Sequence, residues 1–206
     1  CIAAIREAVP IPVVANGEIW TRDDARRWPD LTTAINISPA QLRSATILSD
    51  LLEPAKKFGV APSRLTIEIT ESVLMSSDDR TLRVLNELKR HGFTLALDDF
   101  GTGYSSLSYL QRYPIDKIKI DRSFVTNLGL EEGADAIVGA IIRLARALRL
   151  DVIAEGVETE AQRVRLAAAG CGNIQGYLFG RPMPLRHFEQ LLGEDPAQLA
   201  AAAASA

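Results

Sequence analysis

Two adjacent aspartates, Asp98 and Asp99, follow a run of apolar residues in the stretch LALDDFGTGYSSL, residues 95–107. Two carboxylates at the end of a buried strand are costly unless a cation or hydrogen-bond donors compensate their charge. Gly101 and Gly103 come next and are typical of a sharply bent loop. A turn or a helix cap explains either aspartate alone, so the prediction of a cation site depends on further polar residues.

Polar side chains also stand at the carboxyl ends of other predicted strands. They are Asn36, Glu68, Asp121, Glu155 and Gln175. In a parallel barrel these strand ends meet on one face, where several carboxylates repel one another unless divalent cations neutralise them. Oxygen ligands favour Mg²⁺, Mn²⁺ or Ca²⁺ over softer metals. The pair Asp98 and Asp99 suits two ions about 3.5–4 Å apart, the arrangement used for in-line hydrolysis of phosphate esters.

A lysine, Lys119, lies on one of these strands, in the segment DKIKID. Alternation with a period of two places Lys117, Lys119 and Asp121 on one face and the isoleucines on the other. Two interpretations of Lys119 remain open. It is either a salt-bridge partner of the carboxylates or, beside metal ions, a group that orients the attacking water or stabilises a charged transition state.

Short β-branched segments alternate with amphipathic helical segments along the chain. The predicted strands cover residues 11–16, 31–38, 64–70, 93–100, 116–121, 150–156 and 173–180, and the predicted helices cover residues 39–59, 78–92, 134–150 and 158–170. This order predicts an α/β fold with a parallel sheet, either a (β/α) barrel or an open doubly wound sheet. The barrel is favoured because polar residues gather at the strand ends and no GxGxxG fingerprint follows the first strand.

Length and composition narrow the class of protein. A chain of 206 residues is long enough for one well-cored domain. Its net charge of -3 argues against broad, charge-driven binding of a nucleic-acid polymer. Two cysteines form no disulfide framework, two histidines form no zinc cluster, and no apolar run reaches the ~18 residues of a membrane span. We therefore expect a soluble cytoplasmic domain without membrane contact.

Six ordered motifs resemble those of a known family. NISPAQL, EITES, LDDFGTGYSSL, KIKIDRSFV, VIAEGVET and IQGYLFGRPMP are similar to motifs of the EAL-domain cyclic-di-GMP phosphodiesterases, over about residues 28–193. The resemblance implies a modified (β/α) TIM-like barrel that hydrolyses cyclic di-GMP to linear pGpG with two ions of Mg²⁺ or Mn²⁺. It also implies a homodimer, with an upstream GGDEF or sensory domain as a further partner.

The resemblance implies two sets of metal ligands. Asn36, Glu68 and Asp98 would hold one ion, and Asp98, Asp99 and Glu155 would hold the second. Glu155 would also count among the catalytic residues. Each of these residues stands at the position that matches a family motif.

The resemblance implies further roles around the metal ions. Lys119 would contact the catalytic water, Asp121 would support that network, and Gln175 would bind substrate at the active site. Glu71 would anchor the loop after Asp99 and link the metal site to the dimer interface. An ordinary strand-to-helix turn remains the alternative interpretation of that loop.

The chain departs from the family at its N-terminal end. It contains no Glu-Ala-Leu motif, whose glutamate is a further metal ligand in the family, and it lacks the first family strand. Residues 1–27 resemble instead a helix-strand-helix piece of the tRNA-dihydrouridine synthases. Glu18 in that piece is a candidate for the lost ligand, although an exposed loop glutamate is the simpler interpretation. We expect this non-EAL segment, then an EAL-type barrel at 28–193 that is incomplete at its N-terminus, and a disordered Ala-rich tail at 194–206.

Three functions remain open at this stage. The leading hypothesis is metal-dependent hydrolysis of cyclic di-GMP, impaired by the loss of the motif glutamate. The alternative is a non-catalytic module that binds cyclic di-GMP or dimerises. A flavin-dependent, tRNA-modifying fragment is the weakest hypothesis, because so short a segment carries neither a whole flavin site nor the basic surface that tRNA requires.

Overall fold

A parallel sheet forms the centre of the molecule. The computed structural model describes residues 33–75, 79–102, 107–131, 133–178 and 181. Within these residues the sheet has six strands, in the order β1 (Thr33–Asn36), β2 (Leu65–Thr70), β3 (Thr94–Phe100), β4 (Lys117–Ile120), β5 (Asp151–Ala154) and β6 (Asn173–Ile174). Each strand pairs in parallel with the next strand in sequence. This order is that of an α/β TIM-like barrel, and it confirms the predicted fold class.

Helices connect successive strands. They are α1 (Pro39–Leu42), α2 (Ile47–Phe58), α3 (Glu71–Met75), α4 (Asp79–Arg90), α5 (Leu107–Arg112), α6 (Arg122–Thr126), α7 (Ala134–Ala147) and α8 (Glu160–Ala169), with a 3₁₀ turn at Pro62–Arg64. None of the helices that the structure describes has the length and apolar character needed to cross a membrane. Gly59 and Gly170 cap α2 and α8 in the left-handed conformation, and Gly92 after α4 also has a positive φ, as predicted for C-cap glycines.

The predicted helix over residues 39–59 is wrong in one respect, because the structure divides it into α1 and α2. Ser44 and Thr46 lie at the break, where their hydroxyl groups are 2.9 Å apart and the Thr46 N–H donates to Ser44 Oγ. Such side chains offer the backbone local partners that compete with the helix. The short helices α3, α5 and α6 carry no long apolar periodicity and were not predicted.

Two further boundaries differ from the predictions or lie beyond them. The strand predicted over residues 116–121 ends at Ile120, and Asp121 instead caps α6. The predicted strand at 11–16, the segment 1–27 with Glu18, and the tail at 194–206 lie outside the described residues.

The register of the sheet separates a polar side from an apolar side. Paired residues of neighbouring strands point to the same side, and the pairs are Asn36 with Glu68, Glu68 with Ala96, Ala96 with Lys117, and Lys119 with Ile153. Alternation along each strand therefore places one polar row at the carboxyl ends, namely Asn36, Glu68, Asp98, Lys119 and Glu155.

The other side of the sheet belongs to the hydrophobic core. Its strand residues include Ile35, Ile67, Ile69, Leu95, Leu97, Ile118 and Ile120, all of them buried. The helices contribute apolar residues to the same core, among them Leu51, Ala55, Leu85, Leu88, Val138 and Ile142. Burial of this side fixes the register, since a shift of one residue would exchange the two sides of a strand.

A charged side chain joins β3 and β4 at the opposite end of the sheet. Asp116 directly precedes β4, and its Oδ2 accepts a hydrogen bond of 2.8 Å from the Leu95 N–H. Lys89 Nζ of α4 lies 2.7 Å from both carboxylate oxygens. The Asp116 N–H in turn donates to the Leu95 carbonyl at 3.0 Å. Asp116 therefore ties a helix and two strands together.

We expect Asp116→Ala to lower the free energy of unfolding by about 1–3 kcal/mol, because the buried Leu95 N–H loses its acceptor. Urea unfolding followed by circular dichroism measures the change. Glu87→Ala is the matched control, since it breaks only the exposed pair of Glu87 with Arg90 on the same helix and should cost no more than ~1 kcal/mol. Equal losses in the two variants would contradict this account.

Candidate active site

Lys119 lies at the centre of the polar row. Its ammonium nitrogen is 2.8 Å from Glu68 Oε1, 2.9 Å from Asp98 Oδ1 and 2.8 Å from Glu155 Oε1. The three carboxylates come from β2, β3 and the residue after β5, and the lysine comes from β4 between them. Only 1% of the lysine side chain is exposed, so one buried cation neutralises part of the charge of three strand ends.

Asn36 extends the row on the far side of Glu68. Its side-chain Nδ2 donates a hydrogen bond of 3.0 Å to Glu68 Oε2. The contact follows from the register, because Asn36 and Glu68 are paired residues in β1 and β2. Glu68 is thus held by Asn36 through one oxygen and by Lys119 through the other.

Burial and charge shift the pKa values of these groups. Burial raises the pKa of Glu68 and of Glu155, and the nearby Lys119 only partly opposes that effect. Burial alone would lower the pKa of Lys119, but the charge of Glu68 and hydrogen bonds with Glu155 and Glu68 raise that pKa above its ordinary value. The lysine therefore stays protonated, and the carboxylates carry more negative charge than one ammonium balances.

Asp98 and Asp99 share the polar end of the sheet although they are adjacent in a strand. Asp99 has a φ of 54°, in the left-handed region, and the pairing of β3 with β4 shifts register between Leu97 and Phe100. This bulge turns the second carboxylate towards the first. Burial, followed by the charges of Asp98 and Asp121, raises the pKa of Asp99.

Three carboxylates of this site form a group with the geometry of metal ligands. Asp98, Asp99 and Glu155 each offer an oxygen, and these oxygens all lie within 4.8 Å of one another. A set made only of oxygen donors fits a hard divalent cation such as Mg²⁺, Mn²⁺ or Ca²⁺. The excess negative charge around Lys119 supports the same conclusion, since a divalent ion would relieve it.

The loop after Asp99 is attached to helix α3. Glu71, the first residue of that helix, is buried, and its Oε1 accepts a hydrogen bond of 2.6 Å from the Gly101 N–H. Gly101 has a φ of 99°, and a Cβ at this position would lie 2.8 Å from the ring of Phe124. The structure thus brings Glu71 to the loop that the sequence associates with it, while its link to a dimer interface remains a prediction.

The remaining predicted residues lie around this centre in different ways. Asp121 Oδ1 accepts hydrogen bonds from the Ser123 N–H at 3.0 Å and from Ser123 Oγ at 2.5 Å, so its carboxylate caps α6. Gln175 is exposed just after β6, where its N–H donates to the Ala154 carbonyl at 2.8 Å. Neither side chain is among the ion-pair partners of Lys119.

One buried polar residue near the site was missed by the sequence analysis. Gln162 bonds through its side chain to the loop after β5 and to α6. The spacing from Thr159 to Gln162 is that of a capping box and was available as a signal for the start of a helix. The contact with α6 connects positions 37 apart in sequence, so no local pattern could reveal it.

Comparison with known proteins identifies the family. Residues 20–182 match the EAL domain. The cyclic di-GMP phosphodiesterase RocR of Pseudomonas aeruginosa is 41% identical over 158 residues, which are 77% of this chain and 40% of RocR. The cyclic di-GMP phosphodiesterase PdeR of Escherichia coli is 40% identical over 168 residues, covering 80% of this chain and 25% of PdeR. The chain thus spans less than half the length of these relatives.

Solved structures agree with the sequence matches. The phosphodiesterase PaMucR in complex with c-di-GMP superposes with a TM-score of 0.74 at 42% identity, covering 78% of this chain and 65% of PaMucR. A manganese and cy-diGMP complex of Klebsiella pneumoniae BlrP1 superposes with a TM-score of 0.70 at 35% identity, covering 77% of this chain and 41% of BlrP1. With its motifs, its sheet order and its ring of strand-end carboxylates, the chain belongs to the EAL domain family.

Proposed function

We propose that this chain is a metal-dependent phosphodiesterase that hydrolyses cyclic di-GMP to linear pGpG. The observation that carries the proposal is the ring of Glu68, Asp98 and Glu155 around Lys119, with Asp99 beside it. Relatives at about 40% identity are named cyclic di-GMP phosphodiesterases, which supports the same substrate.

The carboxylates are proposed to hold two ions of Mg²⁺ or Mn²⁺. Asp98, Asp99 and Glu155 would hold one ion, consistent with the short separations of their oxygens. Asn36, Glu68 and Asp98 would hold the other. Ions at these positions would supply Lewis acidity for activating water and for neutralising charge on the phosphate.

Lys119 is proposed to act on the reacting groups while it orders the ligands. Its ammonium fixes one oxygen of each of three carboxylates, so their other oxygens have a defined direction. A buried and permanently charged ammonium also stabilises the negative charge that develops on a phosphate in the transition state. Asp121 supports the arrangement from the N-terminus of α6, and Gln175 is placed at the edge of the site to contact substrate.

One feature of the sequence favours a second function. The chain lacks the Glu-Ala-Leu motif and therefore one carboxylate ligand of the family site. Loss of one ligand weakens an ion more than it removes a pocket, so a module that binds cyclic di-GMP without turnover is the alternative. Glu18 as a replacement ligand remains a prediction and lies outside the described residues.

The setting of the domain follows from the same family. The Pseudomonas aeruginosa relative MucR is named a bifunctional diguanylate cyclase and cyclic di-GMP phosphodiesterase, and this chain covers 27% of it. We infer that this chain also acts beside a GGDEF or sensory domain, as a homodimer in the cytoplasm. Size-exclusion chromatography with light scattering tests the dimer.

Asp98→Asn and Lys119→Met are each expected to lower the rate of cyclic di-GMP hydrolysis with Mn²⁺ by about 100-fold or more, because each removes a charge that acts on the reacting groups. Release of pGpG, followed by chromatography, measures the rate. Calorimetry with cyclic di-GMP and Ca²⁺ measures binding in parallel. Asp98→Asn keeps the volume of the side chain and guards against a folding defect in the lysine variant.

Lys117→Met is the matched control for the lysine, since Lys117 lies on the same strand and side, two residues away from Lys119. Its rate should stay within about twofold of the unsubstituted protein. Binding of cyclic di-GMP without turnover at any concentration of Mn²⁺ or Mg²⁺ would reject the enzyme and leave the binding module.

The stabilising effect of Mn²⁺ is expected to grow with pH. The raised pKa values of Glu68 and Glu155 mean that the folded protein holds protons more tightly than the unfolded chain. Without metal, the stability from these groups is fully present below their ordinary value of 4.5 and is lost as pH rises through the raised values. Mn²⁺ competes with those protons, so its increase of the melting temperature should be small near pH ~5 and large near pH ~8.

Glu68→Gln should flatten this pH dependence, because it removes one of the titrating ligands. Glu53→Gln is the control, since Glu53 is exposed on α2. An increase of the melting temperature that is the same at every pH would show that protons and Mn²⁺ do not compete for these carboxylates.

A further inference from the structure

The loop that carries Glu155, residues 155–159, is held on one side by the segment after β6. The Val157 N–H donates to the Gln175 carbonyl at 3.1 Å, and the Leu178 N–H donates to the Val157 carbonyl at 3.0 Å. Val157 is fully buried. A Cβ at Gly176 would lie only 2.1 Å from the Val157 carbonyl oxygen, so the two segments are in direct backbone contact.

Helix α6 holds the same loop on its other side. Arg122, the first residue of α6, places Nη2 2.8 Å from Glu158 Oε1. Gly156 has a φ of 69°, and a Cβ there would lie 2.3 Å from Arg122 Cγ. The loop therefore fills the space between α6 and the segment after β6, with little room to move.

Gln162 joins the loop and α6 from beneath. Its Oε1 accepts hydrogen bonds from the Glu158 N–H at 2.8 Å and from the Thr159 N–H at 2.9 Å. Its Nε2 donates to the Val125 carbonyl of α6 at 3.3 Å. The side chain is buried, so water does not compete for these bonds.

The donor of this amide has no part in starting α8. A capping box uses only the side-chain oxygen of its third residue. Gln41 in α1 shows this, since its Oε1 accepts from the Ser38 N–H at 2.9 Å in the same kind of box. Among the described residues, no recorded bond of Gln41 reaches another helix. The bond from Gln162 to Val125 is thus a separate link between two elements of the site.

We propose that Gln162 is a positioning residue that joins the loop of Glu155 to the helix capped by Asp121, and so fixes these two site carboxylates relative to each other. Asp121 caps α6 at its first turn and Val125 lies in its last, so the link restrains the whole short helix. The proposal rests on the proposed function only where hydrolysis is measured.

Two substitutions separate the two roles of the amide. Gln162→Glu keeps the oxygen for the capping box and loses the donor to Val125, whereas Gln162→Met loses both. In hydrogen exchange followed by mass spectrometry, Gln162→Glu should speed exchange in residues 122–128 and leave the start of α8 protected. Gln162→Met should speed exchange in both places.

Both variants should also bind Mn²⁺ on the order of tenfold more weakly by calorimetry, well below the melting temperature, because partners of this kind orient metal ligands. Hydrolysis should lose kcat by a similar factor with KM little changed. Gln41→Glu and Gln41→Met are the matched controls, and they should leave exchange in residues 122–128 and Mn²⁺ affinity unaltered.

The proposal is overturned if the Gln162 variants equal the Gln41 variants in exchange of residues 122–128 and in Mn²⁺ affinity. An unsubstituted protein that binds Mn²⁺ but does not hydrolyse cyclic di-GMP removes the proposed function, and Mn²⁺ affinity then still decides the role of Gln162. If the unsubstituted protein binds no Mn²⁺, hydrogen exchange alone decides it.

Discussion

The contact of one buried ammonium with three carboxylates is the constraint on which the rest of the structure depends. Lys119 meets Glu68, Asp98 and Glu155 only if four neighbouring strands keep their register. A shift by one residue in any of them would move its charge into the apolar core and leave the partners uncompensated. The hydrophobic core and the site therefore select the same alignment of the strands.

The sequence was sufficient for the parts of this arrangement that repeat with a simple period. Alternation in β4 placed Lys119 on the polar side, and the clustering of acidic residues at strand ends indicated a barrel with its site at one face. It could not show the left-handed φ of Asp99, because that conformation follows from the bulge against β4. It also could not show the break near Ser44 or the link from Gln162 to Val125, which depend on competing hydrogen bonds and on tertiary contact.

Stability and activity make opposite demands on this site. Glu68 and Glu155 are buried where an apolar pair would pack without any cost of desolvation, and their raised pKa values record that cost. The same burial strengthens every electrostatic contact with a charged substrate. The links around the ring, from Glu71 to Gly101 and from Gln162 to α6, offset part of this cost by fixing the backbone.

The sequential order of the strands has a consequence for synthesis on the ribosome. Each strand pairs with the one made just before it, so the sheet can grow from β1 onwards as the chain emerges. Glu68, Asp98 and Lys119 are then assembled before Glu155 exists, and the nascent site has a nearly balanced charge. The ligand group of Asp98, Asp99 and Glu155 is completed only by the last of the three, so the capacity to take up a divalent ion arises late, after most of the core has formed.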